Sequence, residues 1–284
     1  MVRMPKKALA LLGSSHPGPT AVVTLVALLL GIVLRLSPAS VVLLATAVLA
    51  GQLSIGWSND WIDVVRDQAA GRTNKPAARG AVPVPAVRVA AITAFVAMVV
   101  LSLLLGPAAG MTHIVAVCSG WAYNLALKNS PLSPLPYVLS FALLPAVATL
   151  ALHPPAAPAW WVLVAGALLG IAAHFTNVLP DLAGDAATGV RGLPHRMGAR
   201  ASGYAAFALL GTVAAVLGIA TLSTDDLLRT VIPITGLLAG LTLTVIGLRL
   251  TARGVSSRSL MRLVMAGAVI DVVMLLGAGR ALLA

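Results

Sequence analysis

Two short runs carry most of the acid in this chain. Asn59-Asp60-Trp61-Ile62-Asp63-Val64-Val65-Arg66-Asp67 reads N-D-x2-D-x3-D, and Asn177-x3-Asp181-x3-Asp185 repeats its N-x3-D-x3-D core. All 8 acidic residues are Asp, and Asp60, Asp63, Asp67, Asp181 and Asp185 lie in these two runs. On a helix, residues four apart share a face about 6 Å apart along the axis. Asn59, Asp63 and Asp67 form one ladder of oxygen ligands, and Asn177, Asp181 and Asp185 a second. Pro180 is expected to kink or break the second helix, and Gly184 and Gly189 let its end bend. Two facing carboxylate ladders suit a hard divalent cation such as Mg²⁺, which takes few protein carboxylates and completes its shell with water and phosphate. Arg66, Arg72, Lys75 and Arg79 follow the first run, Lys128 lies further on, and Arg191 and Arg196 follow the second. A diphosphate neutralised from both ends is a good leaving group.

The rest of the chain must place these acids beside apolar helices. It is 59% hydrophobic and 10% charged, against roughly 25% charged in a soluble domain. This is the composition of an integral membrane protein. Nine apolar spans are expected, at 20–36, 39–57, 84–106, 108–127, 134–152, 159–179, 200–222, 230–250 and 260–282. Proline or glycine marks the breaks, from Pro38 to Gly254 with Ser256 and Ser257. Strands are excluded because open sheet edges cannot face lipid. The apolar run Ala8–Leu12 is too short for a signal-peptide core, so residues 1–19 read as the cytoplasmic N-terminal segment of a single domain over 1–284.

The net charge of +11 does not indicate nucleic acid, because the basic residues are scattered between spans. With the N-terminus (Arg3, Lys6, Lys7) inside, all of the 19 Lys and Arg residues except Arg35, Arg229 and Arg280 fall on the inner side. Both acid runs then lie at the cytoplasmic face of the cell membrane, four spans apart, as in an internal repeat.

These residues resemble the UbiA superfamily of intramembrane prenyltransferases. The resemblance lies in Asn59–Asp67 with Arg72-Thr73-Asn74-Lys75-Pro76, in Tyr123-Asn124-x3-Lys128, and in Asp181-x3-Asp185 with Gly192-Leu193-Pro194. It implies an all-α bundle around a central cavity open toward lipid, binding isoprenyl diphosphate with Mg²⁺. Asn59, Asp63 and Asp67, with Asp60 beside them, would form the first metal–diphosphate site, and Asp181 and Asp185 the second. Arg72, Lys75 and Lys128 would bind diphosphate, Asn177 would join them, and Tyr123 would bond the diphosphate or line the path of the prenyl cation.

The expected activity is prenyl transfer to an aromatic acceptor such as a hydroxybenzoate, naphthoate or quinone precursor. A terpene cyclase of the same fold, which needs no acceptor, is the alternative. A cation-coupled transporter is a remoter one, since its acids would lie mid-span and only Asp271 does so here.

Trp57, Trp61, Trp121 and Tyr123 are the aromatic candidates for stabilising a carbocation, although the tryptophans also suit interfacial anchoring, as Trp160 and Trp161 do at the other face. Asp271 could bind an acceptor, and His195 could touch diphosphate or acceptor. His113 and His174 read as core histidines, with His174 one turn before Asn177. Cys118 reads as a small buried hydrophobe, and Asp225 and Asp226 as solvated loop charges.

Overall fold

The computed structural model describes residues 6–187, 189–222, 227–255, 257–276 and 278–284. Arg3, Asp225, Asp226 and Ser256 therefore lie outside the described residues, as does the side chain of Arg280.

Nine long helices are present among the described residues: α2 (Pro17–Val33), α3 (Pro38–Ile62), α5 (Val84–Leu104), α6 (Pro107–Leu125), α7 (Leu135–Leu150), α8 (Trp160–Val178), α11 (Ala199–Thr221), α12 (Leu227–Ala252) and α13 (Ser257–Leu276). Short helices lie between them: α1 (Lys6–Gly13), α4 (Val64–Ala69), α9 (Leu182–Ala187) and α10 (Leu193–Met197). The helix starts follow local chemistry. Prolines stand at the first turns of α2, α3, α5, α6 and α7, where the missing N–H is no loss. Ser37 also caps α3 by accepting from the Ser40 amide at 3.1 Å.

The long helices coincide with the nine expected apolar stretches, but they do not all qualify as spans. Five are long and apolar enough to cross a membrane: α3, α5, the run Trp160–Asp181 containing α8, α11 and α12. The pair α1 and α2, bent by 68° at its break, makes a sixth if taken together. The protein is an integral membrane protein.

Each long helix packs against the next, and α13 returns to touch α2, so the nine close into a ring. Small residues set the tightest crossings, as lipid-immersed helices require. A Cβ on Gly166 or Gly170 of α8 would strike the backbone carbonyls of Phe141 or Tyr137 on α7. One apolar cluster, with Leu30, Leu44, Val147, Val162, Leu217 and Met274, fills the end of the ring remote from the acid runs. A second, with Phe175, Phe207, Leu210 and Val264, packs α8 against α11 and α13.

Cys118 is exposed, contrary to the expectation of a buried site. The reason is the solvent: on a helix immersed in hydrocarbon, a small apolar side chain gains little by turning inward.

Candidate active site

The ring encloses a cavity of about 570 Å³. Its lining on α8 runs from Asn177 to Val162, a depth of about 20 Å at 1.5 Å per residue. One end is polar, lined by His16, Asn59, Asp63, Arg66, Arg72, Lys75, Lys128, Asn177, Asp181, Asp185, His195 and Arg258. The other end is apolar except for Asp271.

The first acid run sits where α3 gives way to α4. Asp63 is the joint, with φ −86° and ψ −4°. The helical spacing survives across it, since the Asp63 amide donates to the Asn59 carbonyl at 3.0 Å and the Asp67 amide to that of Asp63 at 2.8 Å. The second run is broken as Pro180 predicts: α8 ends at Val178, a 3₁₀ turn spans Leu179–Asp181, and α9 carries Asp185.

Arg72 joins the two runs. Its Nη1 lies 3.1 Å from Asp67 Oδ1 and 3.4 Å from Asp181 Oδ2, and its Nη2 donates to Asp185 Oδ1 at 2.5 Å. Burial opposes its charge, but these three carboxylates outweigh that and raise its pKa. Burial also raises the pKa of Asp67, and Lys75 and Arg72 offset this only in part. For Asp185 the balance reverses. Burial raises its pKa, but the His195 contact and Arg72 together hold it below the ordinary value.

The other cations are equally committed. Lys128 Nζ donates to Asp63 Oδ1, and Arg66 Nη2 is 2.5 Å from Asp63 Oδ2. Burial lowers the pKa of Lys128 despite the Asp63 carboxylate. Lys75 Nζ donates to Asp60 Oδ1 at 2.5 Å and Asn59 Oδ1 at 3.1 Å, and contacts His16 Nε2 at 3.0 Å. Asn59 also donates to Asp63 and Asn124, each at 3.2 Å, and Asn124 donates in turn to the Ile55 carbonyl and to Ser58. The Gly192-Leu193-Pro194 loop docks beside Lys128: the Leu193 amide donates to Ser133 Oγ at 2.9 Å, and a Cβ on Gly192 would lie 2.7 Å from the Lys128 carbonyl oxygen.

Asn59, Asp63, Arg72, Lys75, Tyr123, Lys128, Asn177, Asp181 and Asp185 thus meet at one cavity. Asp60 and Asp67 lie just behind its wall, each 1% exposed. Arg79, Arg191 and Arg196 stay exposed and off the cavity, and Arg258 lines it instead. Asn177 donates to the Tyr137 hydroxyl at 3.0 Å.

Among the described residues, no three His, Cys, Asp or Glu side chains converge as a ready-made metal cluster. Arg72 and Lys128 occupy the carboxylates that the two ladders would offer. The donor chemistry still fits Mg²⁺. The ligands are oxygens, Mg²⁺ needs only one or two carboxylates beside phosphate and water, and the buried Asp60 Oδ2 has no hydrogen-bond partner.

Trp57, Trp61 and Trp121 do not line the cavity. Trp57 donates to the Leu11 carbonyl, Trp61 lies under Arg88 at 5.1 Å, and Trp121 donates to Ser54. The aromatic wall is Tyr123, Tyr137 and Phe141, with Tyr123 edge-on to Tyr137 at 5.3 Å and Tyr137 stacked with Phe141 at 6.4 Å. Tyr137 and Phe141 were missed from sequence, although their spacing of four on one helix was the available signal. His174 and His113 are core residues, bonded to Ser133 at 3.0 Å and Ser102 at 2.7 Å. His195 lines the cavity with Nε2 3.4 Å from Asp185. His16, also missed, lies in a segment without any periodic signal.

The fold is shared with solved structures. A UbiA homologue from Aeropyrum pernix K1, in its apo form, superposes with a TM-score of 0.72 at 17% identity, covering 89% of this chain and 95% of that one. A UbiA homologue from Archaeoglobus fulgidus bound to DMAPP and Mg²⁺ gives 0.69 at 16%, covering 91% and 99%. A digeranylgeranylglyceryl phosphate synthase gives 0.64 at 12%, covering 97% and 99%. No curated protein matches the sequence significantly. A sequence profile of the UbiA prenyltransferase family, however, matches residues 20–268, and the chain therefore belongs to that family.

Proposed function

We propose that this chain ionises an isoprenyl diphosphate at the polar end of its cavity and transfers the prenyl group to an aromatic acceptor. The observation that carries this reading is Arg72, which draws Asp67, Asp181 and Asp185 together at the mouth of a cavity whose far end is mainly apolar. Such a mouth suits a ligand with a strongly anionic head and a hydrocarbon tail. The similar structures include one bound to DMAPP and Mg²⁺ and one bound to GPP and Mg²⁺.

Asp63, Asp67, Asp181 and Asp185, with Asn59 and Asp60 alongside, would hold Mg²⁺, which would supply the charge neutralisation that makes diphosphate a better leaving group. Arg72, Lys128 and Arg66 hold the diphosphate's non-bridging oxygens once they let go of carboxylates. Asn177 orients through its bond to Tyr137. Tyr123, Tyr137 and Phe141 present ring faces and edges to the allylic cation, which aromatic faces stabilise, and they offer a planar wall for an aromatic acceptor. Asp271 lines the apolar end, remote from the diphosphate mouth. The basic residues orient the polar mouth and the N-terminus to the cytoplasm.

The test is diphosphate release by purified protein with Mg²⁺ and geranyl, farnesyl or geranylgeranyl diphosphate, with and without hydroxybenzoate or dihydroxynaphthoate. Release that requires an acceptor supports transfer, whereas release with a cyclic hydrocarbon and no acceptor indicates a cyclase. Unchanged release by Asp63→Ala or Asp181→Ala refutes the assignment of the site.

A further inference from the structure

Lys75 has no donor to spare. An ammonium has three N–H groups, and its three partners are Asn59 Oδ1, Asp60 Oδ1 and His16 Nε2. His16 Nε2 lies 3.0 Å from Lys75 Nζ and 3.4 Å from Asp60 Oδ1; because lysine only donates, the shorter contact makes Nε2 an acceptor and leaves the proton of a neutral imidazole on Nδ1. That N–H has no partner among the described residues, and the His16 side chain, 40% exposed, lines the polar end of the cavity.

The backbone spends effort to put it there. His16 is a non-glycine residue in the left-handed region, φ 54° and ψ 63°, a conformation held only when the surroundings over-determine it. They do so here. A Cβ on Gly56 would strike the Ser15 carbonyl, Thr20 Oγ1 donates to that carbonyl at 2.8 Å, and Trp57 donates to the Leu11 carbonyl at 2.8 Å. The elbow between α1 and α2 is thus clamped to α3 beside the first acid run. His16 occupies the N-cap position of α2 but makes no side-chain cap bond, so capping does not explain its placement.

Resting on the diphosphate reading above, we propose that His16 is a diphosphate-binding residue: its Nδ1–H donates to a non-bridging oxygen while Lys75 holds Nε2. Lys75 then acts through His16, as a positioning residue, rather than by direct contact.

The test uses the full-length protein in detergent with Mg²⁺ and the unreactive analogue geranyl thiolodiphosphate, with affinity read by calorimetry and KM and kcat measured on geranyl diphosphate. His16→Gly removes the ring and relieves the left-handed strain, so its melting temperature should not fall. Its affinity should drop about tenfold, the scale of one hydrogen bond to a charged group, with the loss appearing in KM more than in kcat. His16→Asn, which tolerates the same backbone and keeps a donor, should recover part of the affinity. Lys75→Met should weaken binding, and adding His16→Gly to it should cost little more. Wild-type affinity in both His16 variants, or a fall in kcat with KM unmoved, overturns the proposal. Failure of the wild-type protein to bind the analogue instead overturns the diphosphate reading beneath it.

Discussion

Arg72 and Asp185, 113 positions apart, meet at 2.5 Å, and this contact ties the loop after the first acid run to the helix of the second. Arg72→Ala removes the side chain that contacts Asp67, Asp181 and Asp185 together, so both stability and diphosphate binding should suffer. Diphosphate release should fall by about 10²-fold, the scale of losing a preorganised electrostatic contact. Arg72→Lys should recover little, because an ammonium cannot span the two runs as the planar guanidinium does. Initial rates of diphosphate release check both variants.

Asp63 and Lys128 form a buried pair. Removing either partner alone should destabilise the protein by about 3 kcal/mol, while Asp63→Asn with Lys128→Met should cost less than the sum. A double-mutant cycle on thermal unfolding measures the coupling, and additive losses would refute it.

In metal-free protein, Asp67 and Asp185 should respond to pH with opposite sign. The folded pKa of Asp67 is raised, so its ionised form costs stability above that pKa and the cost is relieved as pH falls through it. Asp67→Asn should raise the melting temperature near neutral pH, and the gain should vanish in acid. Asp185 has a lowered folded pKa, so its stabilisation is present above the ordinary carboxylate value and lost as pH falls through the folded one. Asp185→Asn should lower the melting temperature at neutral pH and converge on wild type in acid. Melting curves in EDTA between pH 3 and 8 decide both.

Chelation should abolish diphosphate release, and Mg²⁺ should restore it. Geranyl thiolodiphosphate with Mg²⁺ at a hundredfold excess over Kd should stabilise the protein by about 2.7 kcal/mol, which a thermal shift reads independently of turnover.

Asp271 is 4% exposed, and its Oδ2 has no hydrogen-bond partner. Asp271→Leu should therefore raise the melting temperature, since an unsatisfied buried polar group costs about 1–3 kcal/mol.

The amino-acid sequence by itself determined the helical, membrane-embedded character of the protein, because apolar stretches bounded by prolines have one way to satisfy their backbone in lipid. It also determined where the acids cluster, because the spacing of Asn59, Asp63 and Asp67 survives as helical geometry even across the joint at Asp63. Only the tertiary structure decided which cation meets which carboxylate. Arg72 reaches the second run, Lys75 turns to Asp60, and Lys128 takes Asp63. It also decided that Tyr137, Phe141 and His16 line the cavity while Trp57, Trp61 and Trp121 do not. Those outcomes depend on the angle at which each helix presents its face to the ring. Contacts such as Gly170 on Tyr137 and Gly56 on Ser15 set that angle, and they join residues with no periodic relation along the chain.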